Sequence, residues 1–248
     1  MMITCKNCNT HFNGLYCNNC GQSADTERLD FKFLIKNLRK NLFKYFHAGI
    51  FYSAAQLFKR PGHTIREYIE GKRVKHFEPI ALLLTVAALY GLLYHLFNIN
   101  LFVDLSGNAS PDTNTKMNII NDWMSDNYSL ATCLFVPFYA FGSYLGFIRQ
   151  KYNFIEHIYL NIFLGSQRLF AHLLLFPLYI VFNGTPKLKI LMDINILLDI
   201  ILLVWSYTQF FNKLKRTKAI LLSILSYVIF FISFLIIASV ILLAFHLV

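Results

Sequence analysis

Residues 219–248 read AILLSILSYVIFFISFLIIASVILLAFHLV and contain no Asp, Glu, Lys or Arg. A helix needs about 20 mainly apolar residues to cross the hydrocarbon core of a bilayer. The apolar run is continuous, whereas the strands of a transmembrane β-barrel alternate apolar and polar residues. The stretch therefore predicts a membrane-spanning helix.

Four further stretches have the same character, at residues 80–97, 130–148, 155–182 and 190–211. The whole chain of 248 residues is 56% hydrophobic and only 15% charged, against about 25% charged residues in soluble domains. A chain of this size cannot bury five such helices in a soluble core. We therefore predict an all-α integral membrane protein in which residues 77–248 form a bundle of about five transmembrane helices.

The basic residues are distributed unevenly along the chain, which has a formal net charge of +10. Residues 1–79 hold 13 Lys and Arg, and the connections 149–151 and 213–218 hold two and four more. The two remaining connections hold three in total. Basic loops stay in the cytoplasm. With five crossings, the N-terminus is expected in the cytoplasm and the C-terminus outside, in a bacterial inner membrane.

The N-terminal segment 1–24 contains two Cys-x-x-Cys pairs, Cys5–Cys8 and Cys17–Cys20. Four thiolates presented by two tight turns suit a tetrahedral metal site without an open position. We predict a structural zinc ribbon, with iron as the less favoured metal. Two disulfides are the alternative, which the expected cytoplasmic location disfavours.

Residues 25–76 form a basic amphipathic segment before the first span. Within it, LDFKFLIKNLRKNLFKYF (29–46) places apolar residues at helical spacing, and Asp30 is the expected N-cap. Such a helix can lie on the membrane surface and attract anionic headgroups, or it can pack on the bundle or a partner. Thr64 and Glu67 have the spacing of a capping box. The lipid-facing basic residues are expected to be Lys32, Lys36, Arg39, Lys40, Lys44, Lys72 and Arg73.

The patterns CxNC, GxYCxxCGQ and PGxxIxxYIxGKR, followed by Pro79, resemble a bacterial family of zinc-ribbon membrane proteins of unknown function. The resemblance covers about the first 95 residues and implies the same architecture, without an activity. The matching residues are Cys5, Cys8, Gly14, Tyr16, Cys17, Cys20, Gly21, Gln22, Pro61, Gly62, Ile65, Tyr68, Gly71, Lys72, Arg73 and Pro79.

Polar residues interrupt the third and fourth predicted spans. Because a charged side chain at the bilayer centre costs about 2.5–3.5 kcal/mol or more, it should face protein or water. The depths of Arg168 and Asp199 are compatible, so we predict that they pair. The cluster is either a packing clamp or a polar pathway for a solute or proton. Its members are Glu156, His157, Asn161, Arg168, His172, Asn195 and Asp199.

The sequence contains no recognisable catalytic or nucleotide-binding motif. We therefore expect a non-enzymatic adaptor or scaffold, whose zinc ribbon presents a surface to a protein partner. The alternative is a small transporter or channel using the third and fourth spans, and a membrane-embedded lipid enzyme ranks third. No nucleic-acid partner is expected, and a homo-oligomer is left open.

Overall fold

The computed structural model describes residues 2–39, 49–99, 119, 122–123 and 126–246, with the side chains of 36–39 and 241–246 left out. Two short strands are followed by eight helices within these residues. The elements are β1 (Ile3–Thr4), β2 (His11–Phe12), α1 (Phe31–Arg39), α2 (Gly49–Lys59), α3 (Pro61–Glu70), α4 (Pro79–Leu96), α5 (Tyr128–Gly146), α6 (Phe154–Phe182), α7 (Lys187–Phe210) and α8 (Arg216–His246).

In the part of the chain that the structure describes, four helices are long and apolar enough to cross a membrane: α4, α5, α6 and residues Arg216–Val240 of α8, with mean hydropathies of 1.3 to 2.8. These four correspond to predicted spans 80–97, 130–148, 155–182 and 219–248. The remaining prediction, 190–211, coincides with α7, which is a helix but is not among the four. α7 differs from them in carrying four charged residues, Lys187, Lys189, Asp193 and Asp199.

α6 lies at the centre of the bundle, where it packs against α4, α5 and α7. Its side chains Tyr159, Leu160 and Phe163 are fully buried. α5 and α8 approach closely because Gly142 and Gly146 face the backbone and side chain of α8 around Ser226. Small residues permit such close packing of membrane helices.

We call residues 2–39 and 49–78 the headpiece, and within it residues 22–30 the strap. Asp30 begins α1 as predicted: its side chain accepts a hydrogen bond from the Phe33 N–H at 2.7 Å. The predicted capping box at Thr64 is wrong, because α3 already begins at Pro61, whose fixed φ suits the first turn. Thr64 is instead fully buried inside α3. Glu67 pairs with Arg60 at 3.1 Å.

α3 connects the headpiece to the bundle by packing against α7. Gly62 touches the α7 backbone at Ser206 and Phe210, where a Cβ atom would overlap with both. Arg66 donates hydrogen bonds to the carbonyl groups of Gln209 and Phe210, each at 2.9 Å. These carbonyls end α7 without helical partners, so the guanidinium caps the helix and meets the negative end of its dipole.

Candidate functional site

The four N-terminal cysteines form one compact cluster. Their sulfur atoms all lie within 4.8 Å of one another, with Cys5–Cys20 at 3.5 Å and Cys8–Cys17 at 3.6 Å. Four sulfurs bound tetrahedrally at about 2.3 Å from zinc would be about 3.8 Å apart. A disulfide requires about 2.05 Å. The cluster therefore fits a metal ion and not the disulfide alternative.

The two Cys-x-x-Cys turns have the same local geometry. The N–H of Asn9 bonds to the Cys5 carbonyl at 2.9 Å, and the N–H of Gly21 bonds to the Cys17 carbonyl at 2.8 Å. Asn9 and Gly21 both adopt the left-handed conformation, with φ of 60° and 74°, which Gly and Asn tolerate best. Each turn thus presents its two thiols to the same point.

Thr10 stands beside the first turn. Contact with its hydroxyl and backbone lowers the pKa of the Cys8 thiol to about 6. A lowered pKa favours the thiolate, the form that binds metal. Burial raises the pKa of the Cys20 thiol to about 11, so this effect favours the thiolate at Cys8 but not at Cys20.

The ribbon is docked on the rest of the headpiece by Gln22, which is only 6% exposed. Its amide nitrogen donates to the Gly71 carbonyl at 2.6 Å, and its amide oxygen accepts from the Arg73 N–H at 3.3 Å. Gly71 ends α3 with φ of 115°. A Cβ at this position would lie 2.8 Å from the Lys6 side chain. The CGQ motif (residues 20–22) and the GKR motif (residues 71–73) are therefore hydrogen-bonded to each other.

Arg73 was predicted to face lipid headgroups, but its side chain is engaged within the headpiece. Its guanidinium lies 4.7 Å from the Phe33 ring centre and 5.4 Å from that of Tyr68. It donates to the carbonyls of Tyr68 and Glu27 at 3.2 and 3.0 Å. Burial lowers the Arg73 pKa. This arginine holds the strap against α3.

The strap also reaches the start of α6. Arg28 donates to both carboxylate oxygens of Glu156, at 2.6 and 2.8 Å, and to the Lys151 carbonyl at 3.2 Å. The hydrogen bond to Glu156 raises the Arg28 pKa. Asn153 donates to the Leu29 carbonyl at 2.9 Å, and Leu29 is fully buried. The headpiece and bundle are thus joined by polar contacts at their shared boundary.

Glu156 was assigned to the intramembrane cluster, whereas the structure places it in the capping box of α6 with Asn153 and in the ion pair with Arg28. The other predicted members of the intramembrane polar cluster lie in three separate places in the bundle. This separation arises because the polar residues of α6 face different neighbouring helices.

The first place is a buried network around His157 and Asn161. The His157 ring nitrogen Nδ1 lies 2.9 Å from the Ser143 hydroxyl, and the Asn161 amide donates to the same hydroxyl at 3.0 Å. Tyr207 donates to the Asn161 carbonyl oxygen at 2.8 Å. These bonds connect α5, α6 and α7, as a packing clamp would.

The second place is a cavity of about 210 Å³ lined by Arg168, His172 and Asp199 together with Tyr128, Thr132 and Tyr139. The predicted Arg168–Asp199 pair is replaced by a contact between His172 Nε2 and Asp199 Oδ1 at 3.0 Å. The Arg168 guanidinium lies instead 4.3 Å from the Tyr139 ring centre. An aromatic face can attract a guanidinium.

The third place holds Asn195, whose amide nitrogen donates to the Tyr179 hydroxyl. Gln167 was not assigned to the predicted cluster, although it is fully buried. Gln167 donates to the Leu57 carbonyl and accepts from Ser206, both at 2.9 Å. It therefore joins α2, α6 and α7. Its polarity within an apolar span was the signal that could have identified it.

Among the remaining basic residues assigned to the lipid surface, Lys32 and Lys72 are exposed, and Lys72 lies 3.9 Å from Glu67. Lys36 and Arg39 lie in α1, but the structure does not describe their side chains. Lys40 and Lys44 lie outside the described residues altogether.

Comparison with protein-family models gives a match over part of the chain. Neither the curated proteins nor the solved structures contain a match to this chain. The segment that matches a protein family runs from α2 through α3 and most of α4. It thus includes α3, the helix that joins the headpiece to the bundle. Residues 48–91 match the family described as "Protein of unknown function (DUF3667)".

Proposed function

We propose that this protein is a membrane-anchored adaptor whose structural zinc ribbon presents a fixed surface to a protein partner in the cytoplasm. The observation that carries the proposal is the docking of the ribbon through Gln22 and Arg28. Docking gives the ribbon a defined orientation. Leu15 and Tyr16 on its surface are 80% and 66% exposed and offer apolar contact area.

In this proposal the four cysteines hold zinc, and iron is the less favoured occupant. All four positions of a tetrahedral ion are taken by thiolates, so the metal supplies folding free energy and no catalytic water. The proposal therefore assigns no enzymatic activity to the ribbon.

We place the protein in a bacterial inner membrane with five crossings and a cytoplasmic N-terminus. The contacts along α6 and α7 support the fifth crossing. Tyr207 bonds to Asn161 near one end of the helix pair, and Asn195 bonds to Tyr179 near the other. α7 therefore runs antiparallel to α6 for most of its length and would return through the bilayer. Reporter fusions at the two ends of α7 should lie on opposite sides of the membrane. Reporters on the same side would contradict five crossings.

The adaptor proposal is tested by cross-linking in intact membranes, followed by purification in mild detergent. Cys17→Ser/Cys20→Ser removes two metal ligands, while Cys133→Ser is the matched control because Cys133 lies in α5. We expect the control to retain the cross-linked partners of the wild type and the ribbon variant to lose them. If all three proteins retain the same partners, the ribbon is not the docking surface.

A transporter or channel is the second candidate, favoured by the cavity at Arg168, His172 and Asp199. Polar and ionisable groups around a space within spanning helices are typical of solute or proton pathways. The test compares proton flux into vesicles reconstituted with Asp199→Asn and with Asp193→Asn, an exposed carboxylate on the same helix. Loss of flux with Asp199→Asn alone supports transport, and unchanged flux in both variants contradicts it.

A further inference from the structure

A cleft of about 630 Å³ lies between the headpiece and the bundle. Its walls come from the ribbon and strap, the end of α3, the start of α6, and the two chain connections that follow α5 and α7. Ile69, Phe210 and Phe211 line its apolar part and are nearly fully buried. The volume is in the range of small-molecule pockets, about 300–1,000 Å³.

The lining of the cleft carries more positive than negative charge. Glu27, Glu70 and Glu156 are its carboxylates, and the cations are Lys6, Arg28, Arg149, Lys151 and Lys213. Arg28 and Glu156 compensate each other through their bidentate contact. Apart from this pair, the lining contains four cations and two carboxylates. Within the described residues, Arg149, Lys151 and Lys213 form no ion pair, so no described carboxylate directly compensates their positive charges.

We propose that this cleft binds a phosphate-bearing ligand. Arg149, Lys151 and Lys213 would supply charge-assisted hydrogen bonds to the phosphate oxygens, the strong class of such bonds. Tyr152, whose ring is 4.7 Å from that of Phe210, would contact the organic part. The ligand is either the headgroup of an anionic phospholipid or a soluble phosphate ester. This inference does not depend on the adaptor function, because it requires no protein partner.

The position of the cleft is consistent with both sources. Arg149 and Lys151 lie between α5 and α6, and Lys213 lies between α7 and α8, so all three stand at the same end of the spanning helices. That end is where the headgroups of one leaflet would be. The cleft also extends to Lys6 and Glu27 in the ribbon and strap, and these residues would be reached from the aqueous phase.

The test uses the full-length protein, zinc-loaded and purified in a neutral detergent. Two water-soluble probes are titrated, short-chain phosphatidylglycerol and ADP, and binding is measured by calorimetry at physiological salt. Arg149→Gln/Lys213→Gln removes two cations of the cleft. Lys215→Gln/Lys218→Gln is the matched control, since it removes two cations near the same end of the bundle that do not line the cleft.

We expect the cleft variant to lose affinity about tenfold or more and the control to change it less than about twofold. Glu70→Gln should strengthen binding severalfold, a gain that a loss of folding cannot mimic. Selective binding of phosphatidylglycerol identifies a headgroup site, and selective binding of ADP identifies a soluble phosphate ester. Failure of both probes to bind, or an equal loss in both double variants, overturns the proposal.

Discussion

Gln22 and Gly71 are 49 residues apart in the chain, yet the side-chain amide of the first donates to the carbonyl of the second at 2.6 Å. Gln22 directly follows the second cysteine turn, and Gly71 ends α3 in a conformation that favours glycine. This bond therefore couples the cysteine cluster to the helix that packs on the bundle.

Gln22→Ala should loosen this coupling. It leaves the Gly71 carbonyl without its buried donor, which costs about 1–3 kcal/mol. We expect faster hydrogen exchange in residues 22–29 while the metal content stays unchanged. Asn18→Ala is the control, because Asn18 is an exposed amide of the same ribbon. Equal exchange in both variants would show that Gln22 does not hold the strap.

Removal of the metal should unfold the ribbon and spare the bundle. The three buried residues of its small core are Cys5, Phe12 and Cys17, so the metal must supply most of its folding free energy. A chelator should make residues 2–24 sensitive to protease, with the helix content measured by circular dichroism almost unchanged. Elemental analysis should find one zinc per chain, and visible absorption typical of iron–thiolate would identify iron instead.

Arg28→Ala should destabilise the protein more than Arg149→Ala, a nearby exposed arginine. The Glu156 side chain is 4% exposed and loses its cation in the variant, retaining the hydrogen bond from the Asn153 N–H. Arg28 itself is 63% exposed. Solvent screening limits the contribution of the pair to about 1 kcal/mol. A double-mutant cycle with Glu156→Gln measures this coupling energy. A coupling energy near zero would contradict the role of the pair in docking.

Gly62→Ala should separate α3 from α7. A Cβ at this position would overlap with the α7 backbone, which cannot move as a flexible side chain can. We expect a loss of about 2 kcal/mol or more. Gly165→Ala is the control, since its Cβ would meet only the end of the Leu83 side chain, at 3.1 Å. Thermal unfolding in detergent compares the two variants, and equal melting temperatures would contradict the close packing.

His76 should make the headpiece sensitive to acid. Burial lowers its pKa from 6.5 to about 4, and its ring packs beside Tyr52 and Tyr68. The unfolded chain takes up the proton first, so stability is full above about pH 6.5 and declines down to about pH 4. We expect the loss to reach about 2–3 kcal/mol.

The measurement for His76 is the difference in unfolding free energy between wild type and His76→Gln as a function of pH. Taking the difference removes the contribution of carboxylates that titrate in both proteins. The difference should change between pH 6.5 and pH 4. A difference that is constant with pH would show that His76 does not titrate between the folded and unfolded states.

Local patterns predicted the parts of this protein, but not how the parts meet. The spacing of Cys5, Cys8, Cys17 and Cys20 predicts that they come together within a short segment, where they could hold a metal ion. Asp30 caps the helix that follows it directly. Arg73 was expected to face lipid, but it lies against Phe33 of α1, which the sequence does not bring near it. Asp199 was paired with Arg168, but it contacts His172, which lies one helical turn beyond Arg168 on α6. Composition can place a charge at a depth in the membrane, but it cannot choose between neighbours at that depth.

The ion pair between Arg28 and Glu156 also has a consequence for the order of biosynthesis. All four cysteines have been synthesised before Arg28, whereas Glu156 follows Arg28 by 128 residues. At about 5–20 residues per second, the ribosome needs roughly 10 s to cover that distance. The cysteines of the nascent ribbon therefore exist before the strap has its partner on the bundle, and the strap can close on Glu156 only once the start of α6 has been synthesised.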